Sequence, residues 1–389
     1  MTWMQARLDE LQQRLQEQTE NHLGYPYNLE PTPPELLPFL GFSLNNLGDS
    51  FSPSRYGINT HAMEREVIQW FVALWKGGED TWGTVTACGT EGNLLGILYG
   101  REAMGQHAVL ITSVEAHYSV AKAARMYRMP FIELASRDGE IDYEELRNIA
   151  KAQRQKGSSI VLVLNAGSTV LGGHDRLAAA MQALNDAGVP PAQRYVHVDA
   201  ALSGLITPLM TDEETGEFAF GFHRGADSIA VSGHKQLGIA TPCGVLCCKK
   251  EHMERWAAGT PESASYVTRR DTTLSGSRNG FASLALWHAV TTRDKDTLAQ
   301  QARQCIQRAR NFADALRAAV PLSEARVYCP LSTTVVFRMP SAPLADKYQL
   351  ACTAEVAHIV ITPSVKSSTL WAFWADYFQE FSVPDAGVH

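Results

Sequence analysis

Apolar residues gather in short runs that end in polar side chains, and these runs alternate with segments whose apolar positions recur at helical spacing. Residues 84–87, 108–111, 160–164, 196–199, 228–232 and 244–248 are runs of the first kind and predict buried strands. Residues 94–99 and 177–187 are of the second kind. Apolar strands separated by helices predict a largely parallel sheet covered on both faces, occupying about residues 55–290.

Ahead of this region, residues 1–22 place Leu8, Leu11 and Leu15 on one face of an amphipathic helix. Pro26, Pro31, Pro33 and Pro34 then predict an extended connection. Beyond the sheet region, residues 297–319 read as one long helix, and short strands around 326–328 and 334–337 suggest a small α+β unit. The expected division is an N-terminal helix and arm over 1–54, a large domain over 55–290 and a small C-terminal domain over 291–389.

At 389 residues, 45% hydrophobic and 19% charged, the chain can bury one large core and a smaller one. A formal net charge of −7 without a basic stripe argues against a nucleic-acid partner. No run approaches the ~20 apolar residues of a membrane span, and the start lacks the apolar core of a signal peptide. No membrane partner is therefore expected, and the cytoplasm is the expected location. Seven cysteines, an odd number without framework spacing, predict reduced thiols and no metal site.

The candidate chemistry lies at strand ends, where ligands sit in open α/β sheets. Asp199 closes the run 196–199, and Lys235 follows the run 228–232 in Ser232-Gly233-His234-Lys235. An amine and a carboxylate are what pyridoxal phosphate requires. The amine forms a Schiff base, and the carboxylate keeps the ring nitrogen protonated, so that electrons can flow into the ring when a bond at Cα breaks. Cys88-Gly89-Thr90-Glu91-Gly92-Asn93 passes from a strand into a helix through small residues, offering backbone N–H groups and a hydroxyl to a phosphate. His117 offers a flat imidazole to cover the ring, and Ser168 and Thr169 offer hydroxyls to its phenolic oxygen.

Taken in order, Cys-Gly-Thr-Glu-Gly-Asn (88–93), His-Tyr-Ser-Val (117–120), Gly-Ser-Thr (167–169), Val-Asp-Ala-Ala (198–201), Ser-Gly-His-Lys (232–235) and Gly-Ser-Arg-Asn-Gly (276–280) resemble the group II pyridoxal phosphate-dependent amino acid decarboxylases. Residues 42–49, 123–129, 332–337 and 362–365 are similar to the serine and histidine decarboxylase branch of that group. The resemblance covers most of the chain. It implies an α/β fold of fold-type I, with a large, mostly parallel sheet domain and a small C-terminal α+β domain, and pyridoxal 5'-phosphate as cofactor. It also implies Lys235 as the amine that carries the cofactor, Asp199 as partner of the ring nitrogen, His117 stacked on the ring and Ala201 under the opposite face. Gly89, Thr90, Ser232 and His234 would hold the phosphate, and Ser168 or Thr169 the phenolic oxygen.

The implied reaction is decarboxylation of a small L-amino acid, serine or histidine. The implied assembly is a homodimer with its active site at the subunit interface and the N-terminal piece packed on the partner. Residues 257–268 are expected to form a lid, with Tyr266 as the acid that protonates Cα. Tyr25, Tyr27, Asn59, His61 and Phe281 are candidates for the substrate pocket. The chain departs from the branch at Ser168, where threonine is usual, and at Phe281, where histidine is usual, and the second change bears on substrate choice. Two alternatives stand beside this reading. One keeps cofactor and fold but changes the outcome, to oxidative decarboxylation-deamination, aldol cleavage or transamination. The other is a non-catalytic nucleotide-binding scaffold, for which the Gly-x-Gly-x-x-Gly and Gly-Lys-Ser/Thr signatures are lacking.

Overall fold

Alternation within the apolar runs decides which side chains meet above and below the sheet. In the computed structural model, which describes residues 3–259 and 272–382, Ile160, Leu162 and Leu164 enter one core while Val161 and Val163 enter the other.

The chain begins with α1 (Trp3–Glu20), which buries none of its residues; Leu8, Leu11 and Leu15 all face outward. The arm that follows is irregular to Pro33, but Pro34–Gly41 coils into a 3-10 helix rather than continuing extended. Pro34 opens that helix, a position where its missing N–H has no partner to lose. Leu23 donates to the Tyr348 carbonyl and accepts from Val360, and Asn28 N donates to the Lys235 carbonyl (2.9 Å). The arm thus ties the C-terminal part of the chain to the segment that holds the lysine.

Next come α2 (His61–Leu74), β1 (Thr81–Thr86), α3 (Gly89–Met104), β2 (Val109–Ser113), α4 (Tyr118–Tyr127) and β3 (Phe131–Leu134). The short ribbon β4 (Ser136–Arg137) and β5 (Glu140–Ile141) precedes α5 (Tyr143–Gln155), β6 (Ile160–Asn165), α6 (Leu177–Asp186), β7 (Arg194–Asp199), α7 (Asp212–Thr215) and β8 (Ser228–Ser232). Then follow α8 (Gly233–Gln236), β9 (Gly244–Lys249) and α9 (Lys250–Gly259). The seven-stranded sheet has the order β1-β9-β8-β7-β6-β2-β3. Strands β8, β7, β6, β2 and β3 pair in parallel, and β9 alone runs against its neighbours β1 and β8. Ala257 to Gly259, the start of the expected lid, belong to the end of α9.

Gly92, Gly96 and Gly100 lie one above another on α3, four residues apart. A Cβ at these positions would come within 2.9 Å of Ala230 Cβ, 2.6 Å of the His197 ring and 2.7 Å of the Tyr195 ring. The bare backbone face lets α3 lie directly on β7 and β8, which brings its first turn over the carboxyl ends of those strands.

Further along the chain, α10 (Gly280–Thr292) joins α2 in the core below the sheet, and α11 (Lys295–Ala319) leaves it. Leu298 sits in that core, whereas Phe312 and Leu316 sit in a second one with Val335, Phe337, Ile359 and Phe373. This second core covers a three-stranded sheet of order β10-β12-β11, formed by β10 (Thr334–Arg338), β11 (Ala351–Cys352) and β12 (Val356–Val360). The helices α12 (Ala342–Lys347) and α13 (Ser367–Ser382) complete the fold. The strand expected around 326–328 is reduced to one bridge between Arg326 and Val336, because the chain turns away at once through Cys329 to Ser332. Among the described residues no helix is long and apolar enough to cross a membrane.

Candidate active site

Strands β7 and β8 end side by side and deliver Asp199 and Ser232 to one edge of the sheet, with α8 carrying Lys235 immediately beyond. Asp199 is buried; its Oδ1 accepts from Ala201 N (3.1 Å) and its Oδ2 from Asn93 Nδ2 (2.6 Å). Burial pushes the Lys235 ammonium below the usual lysine range, and the Asp199 charge opposes that shift. The amine and the carboxylate expected from the sequence therefore feel one another across the same recess.

Asn93 is the residue that the sequence reading passed over. Its Nδ2 also lies 2.9 Å from Ser119 Oγ, and its Oδ1 lies 3.0 Å from His197 Nε2. His197 is buried and pushed down to about 4 by desolvation, so it is neutral near pH 7. Its Nδ1 is 2.7 Å from Ser228 Oγ. The signal for Asn93 was an amide on the glycine face of α3, where an ordinary core would have an apolar side chain.

The first turn of α3 lies against the end of β8: a Cβ on Gly89 would meet Ser232 Oγ at 2.5 Å and Ala201 Cβ at 3.2 Å. Thr90 follows as the second residue of that helix and is half-buried. Glu91 folds back to accept from Ala87 N (2.5 Å) and from the distant Ser275 Oγ (2.9 Å), so both oxygens of its carboxylate are occupied. His234 sets its Nδ1 2.9 Å from the Cys243 carbonyl oxygen and 3.1 Å from the Cys243 amide, and its ring lies 5.6 Å from that of Tyr27. Gly89, Ser232, Ala201, Asp199 and Lys235 are thus brought together.

His117 caps α4, half-buried, with Nδ1 2.8 Å from Ser119 Oγ and its ring 4.1 Å from that of Tyr118. Desolvation lowers its pKa, and the Asp199 charge partly offsets this. Ser168 is buried, and its Oγ accepts from Gly173 N (3.0 Å) within a tight turn, whereas Thr169 is exposed. Of the two hydroxyls expected at the phenolic oxygen, Ser168 is the one engaged in shaping its own loop.

The candidate substrate residues separate. Tyr25 and Tyr27 stack at 6.1 Å on the arm that Asn28 ties to Lys235. Asn59 spends its amide locally, donating to the Tyr56 carbonyl (2.5 Å) and accepting from His61 N (3.1 Å). His61 opens α2, buried, and the charges acting on it are Glu64, Arg278, Arg65 and Asp49 rather than Asp199 or Lys235. Phe281 packs against the large core and lines a cleft of about 190 Å³ with Leu237, Glu30 and Arg293. Tyr266 lies outside the described residues.

These groups fit pyridoxal phosphate. An amine of lowered pKa, a carboxylate held by two donors, and a helix N-terminus whose glycine leaves no room for a side chain beside Ser232 form one recess.

Residues 59–340 match the pyridoxal-dependent decarboxylase conserved domain. Serine decarboxylase 1 of Oryza sativa subsp. japonica is 37% identical over 370 residues, covering 94% of this chain and 72% of that protein. A histidine decarboxylase of Mesorhizobium japonicum is 38% identical over 361 residues, covering 92% of this chain and 93% of that protein. The solved L-methionine decarboxylase from Streptomyces sp.590 superposes with a TM-score of 0.86 at 24% identity, over 96% of this chain and 94% of that one. Oryza sativa TDC with PLP and tryptamine gives 0.80 at 17% identity, over 98% and 88%.

Proposed function

Because the chain belongs to the pyridoxal-dependent decarboxylase family, and so is a pyridoxal phosphate-dependent amino acid decarboxylase of fold-type I, we propose that its substrate is serine or histidine. The observation that carries this choice is the 37–38% identity over more than nine-tenths of the chain to relatives bearing those two names.

Within the recess, Lys235 carries the cofactor, Asp199 holds the ring nitrogen, and His117 and Ala201 cover its two faces. Gly89, Thr90, Ser232 and His234 hold the phosphate, and Thr169 or Ser168 reaches the phenolic oxygen. Bound pyridoxal phosphate supplies an electron sink for the pair left at Cα when the carboxylate departs. The lowered pKa of Lys235 supports its role, since only the neutral amine is nucleophilic. The donors on both oxygens of Asp199 support a carboxylate fixed in one rotamer and ready to hold a proton on a ring nitrogen. Tyr25 and Tyr27 border the substrate, and Tyr266 delivers the proton to Cα.

The apolar stripe of α1, exposed on this chain, supports a homodimer. The seven free cysteines, five of them buried, support a cytoplasmic setting. The separate second core supports a small domain over 291–389, beside a large one over 55–290 and an N-terminal piece over 1–54.

The deciding experiment incubates the cofactor-loaded protein with each common L-amino acid and quantifies amine, aldehyde and carbon dioxide by mass spectrometry, with and without oxygen. Ethanolamine from serine or histamine from histidine, formed equally without oxygen, is the expected result. An oxygen-dependent aldehyde, or no carbon dioxide from either amino acid, overturns the reading.

A further inference from the structure

Every hydrogen-bond direction around Asn93 is fixed by its neighbours. A carboxylate only accepts, so the Nδ2 that lies 2.6 Å from Asp199 Oδ2 donates to it. The Oδ1 of the same amide then faces His197 Nε2 at 3.0 Å and must receive a proton there. Neutral His197 has a single N–H, so its Nδ1 is the acceptor, taking the hydroxyl proton of Ser228 at 2.7 Å. On the other side, the second N–H of Asn93 goes to Ser119 Oγ (2.9 Å), which leaves the Ser119 hydroxyl to donate to His117 Nδ1 (2.8 Å). One buried amide therefore joins two chains: Ser228 to His197 to Asn93 to Asp199, and Asn93 to Ser119 to His117.

We propose that Asn93 is a positioning residue that sets the two side chains facing the cofactor ring at once, locking Asp199 as an acceptor from below through His197 and holding the plane of His117, whose Nδ1 also accepts from Ser119 N, through the Ser119 hydroxyl. The inference rests on the functional reading above and extends it to a residue that does not itself touch the ring. The glycine face of α3 belongs to the same device, because a side chain on Gly96 would come within 2.6 Å of His197 and displace the lock. A purely structural amide would fill the space without choosing a direction. Here the direction is what matters, since reversing the amide would set an oxygen against a carboxylate.

The test uses the full chain freed of cofactor and titrated with pyridoxal 5'-phosphate, for wild type, Asn93→Asp and Asn93→Ala. Asn93→Asp keeps the shape and the acceptor for His197 but removes both donors. Its dissociation constant for the cofactor is expected to rise about tenfold to a hundredfold, the range for losing hydrogen bonds to a charged group. The ratio of the two long-wavelength absorption bands of the bound cofactor, which reports its protonation, shifts with it. Asn93→Ala moves in the same direction. Variants that bind within about twofold of wild type with unchanged bands overturn the inference, since a lost hydrogen bond of this kind costs more than that. A second measurement needs no variant to fold: ¹⁵N-histidine spectra of the wild type should place the His197 proton on Nε2, and a proton on Nδ1 overturns the relay. A wild-type chain that takes no cofactor overturns the functional reading and this inference with it, whereas normal wild-type binding with insensitive variants overturns the inference alone.

Discussion

Gly89 and Ser232 meet so closely that no side-chain carbon fits between them: a Cβ on the glycine would stand 2.5 Å from the serine Oγ. The first turn of α3 and the end of β8 are thereby held as two walls of one cradle. Gly89→Ala must push one wall outward. It is expected to weaken pyridoxal phosphate binding about tenfold or more, since displacements near 1 Å in such sites are costly. Cofactor titration of the purified variant checks this, and unchanged affinity removes Gly89 from the phosphate site.

Asp199→Asn conserves volume but sets an amide against the donors of Asn93 and Ala201. Its decarboxylation rate is expected to fall by about 10²–10⁴, the usual scale for one electrostatic or proton-holding group. Carbon dioxide release at saturating amino acid is the measurement. A variant retaining more than about a tenth of wild-type turnover deprives Asp199 of its role.

Acid should destabilise the fold through its buried histidines. Burial pushes His174, His197 and His358 down to about 4 from the ordinary 6.5. The unfolded chain therefore binds more protons than the folded one between those values. Stability from this source is complete above about 6.5, is lost as the pH falls towards 4, and declines no further below that. Each histidine contributes up to about 3 kcal/mol across the window. Urea midpoints between pH 7 and pH 4 should fall, and His174→Phe, which removes one such group, should flatten the slope.

Arg278 and Glu64 form a buried ion pair whose guanidinium also donates to the carbonyls of Gly48 and Val85 and to Thr84 Oγ1. Arg278→Leu strands a carboxylate that is fully buried. The expected loss is about 3–5 kcal/mol, read from urea unfolding, because the uncompensated charge costs more than the pair contributes. Glu64→Gln keeps an oxygen for Arg278 and Val85 N but sets its NH2 against Asn46 Nδ2 and removes the counter-charge, so it should destabilise as well.

Local pattern and long-range pairing explain what could and could not be read from the chain. The runs 160–164, 196–199 and 228–232 became β6, β7 and β8 because strands buried on both faces need only be continuously apolar. Asp199 and Lys235 were legible because strand ends expose their last residues to the same edge. The run at 326–328 has the composition of a strand but finds only Val336 to pair with before the chain turns. The role of Asn93 was harder to read for a different reason. Its partners lie 26, 104 and 106 residues away, and its place beside the glycines of α3 is the one local sign that it is not a solvated amide. Asn59 shows the opposite case, a polar residue whose neighbours two and three positions away already account for it.

The arm near the N-terminus is fastened at Leu23 by Tyr348 and Val360 and at Asn28 by the carbonyl of Lys235. On a growing chain the sheet that presents Lys235 is synthesised before residues 348 and 360 exist, so the arm has no outer anchor at Leu23 until those residues have emerged. The arm is therefore secured at both of its ends only after segments far apart in the sequence have met. A chain cut short after α11 would still carry every group of the cofactor recess among its described residues, but not the fastening that closes the arm over it.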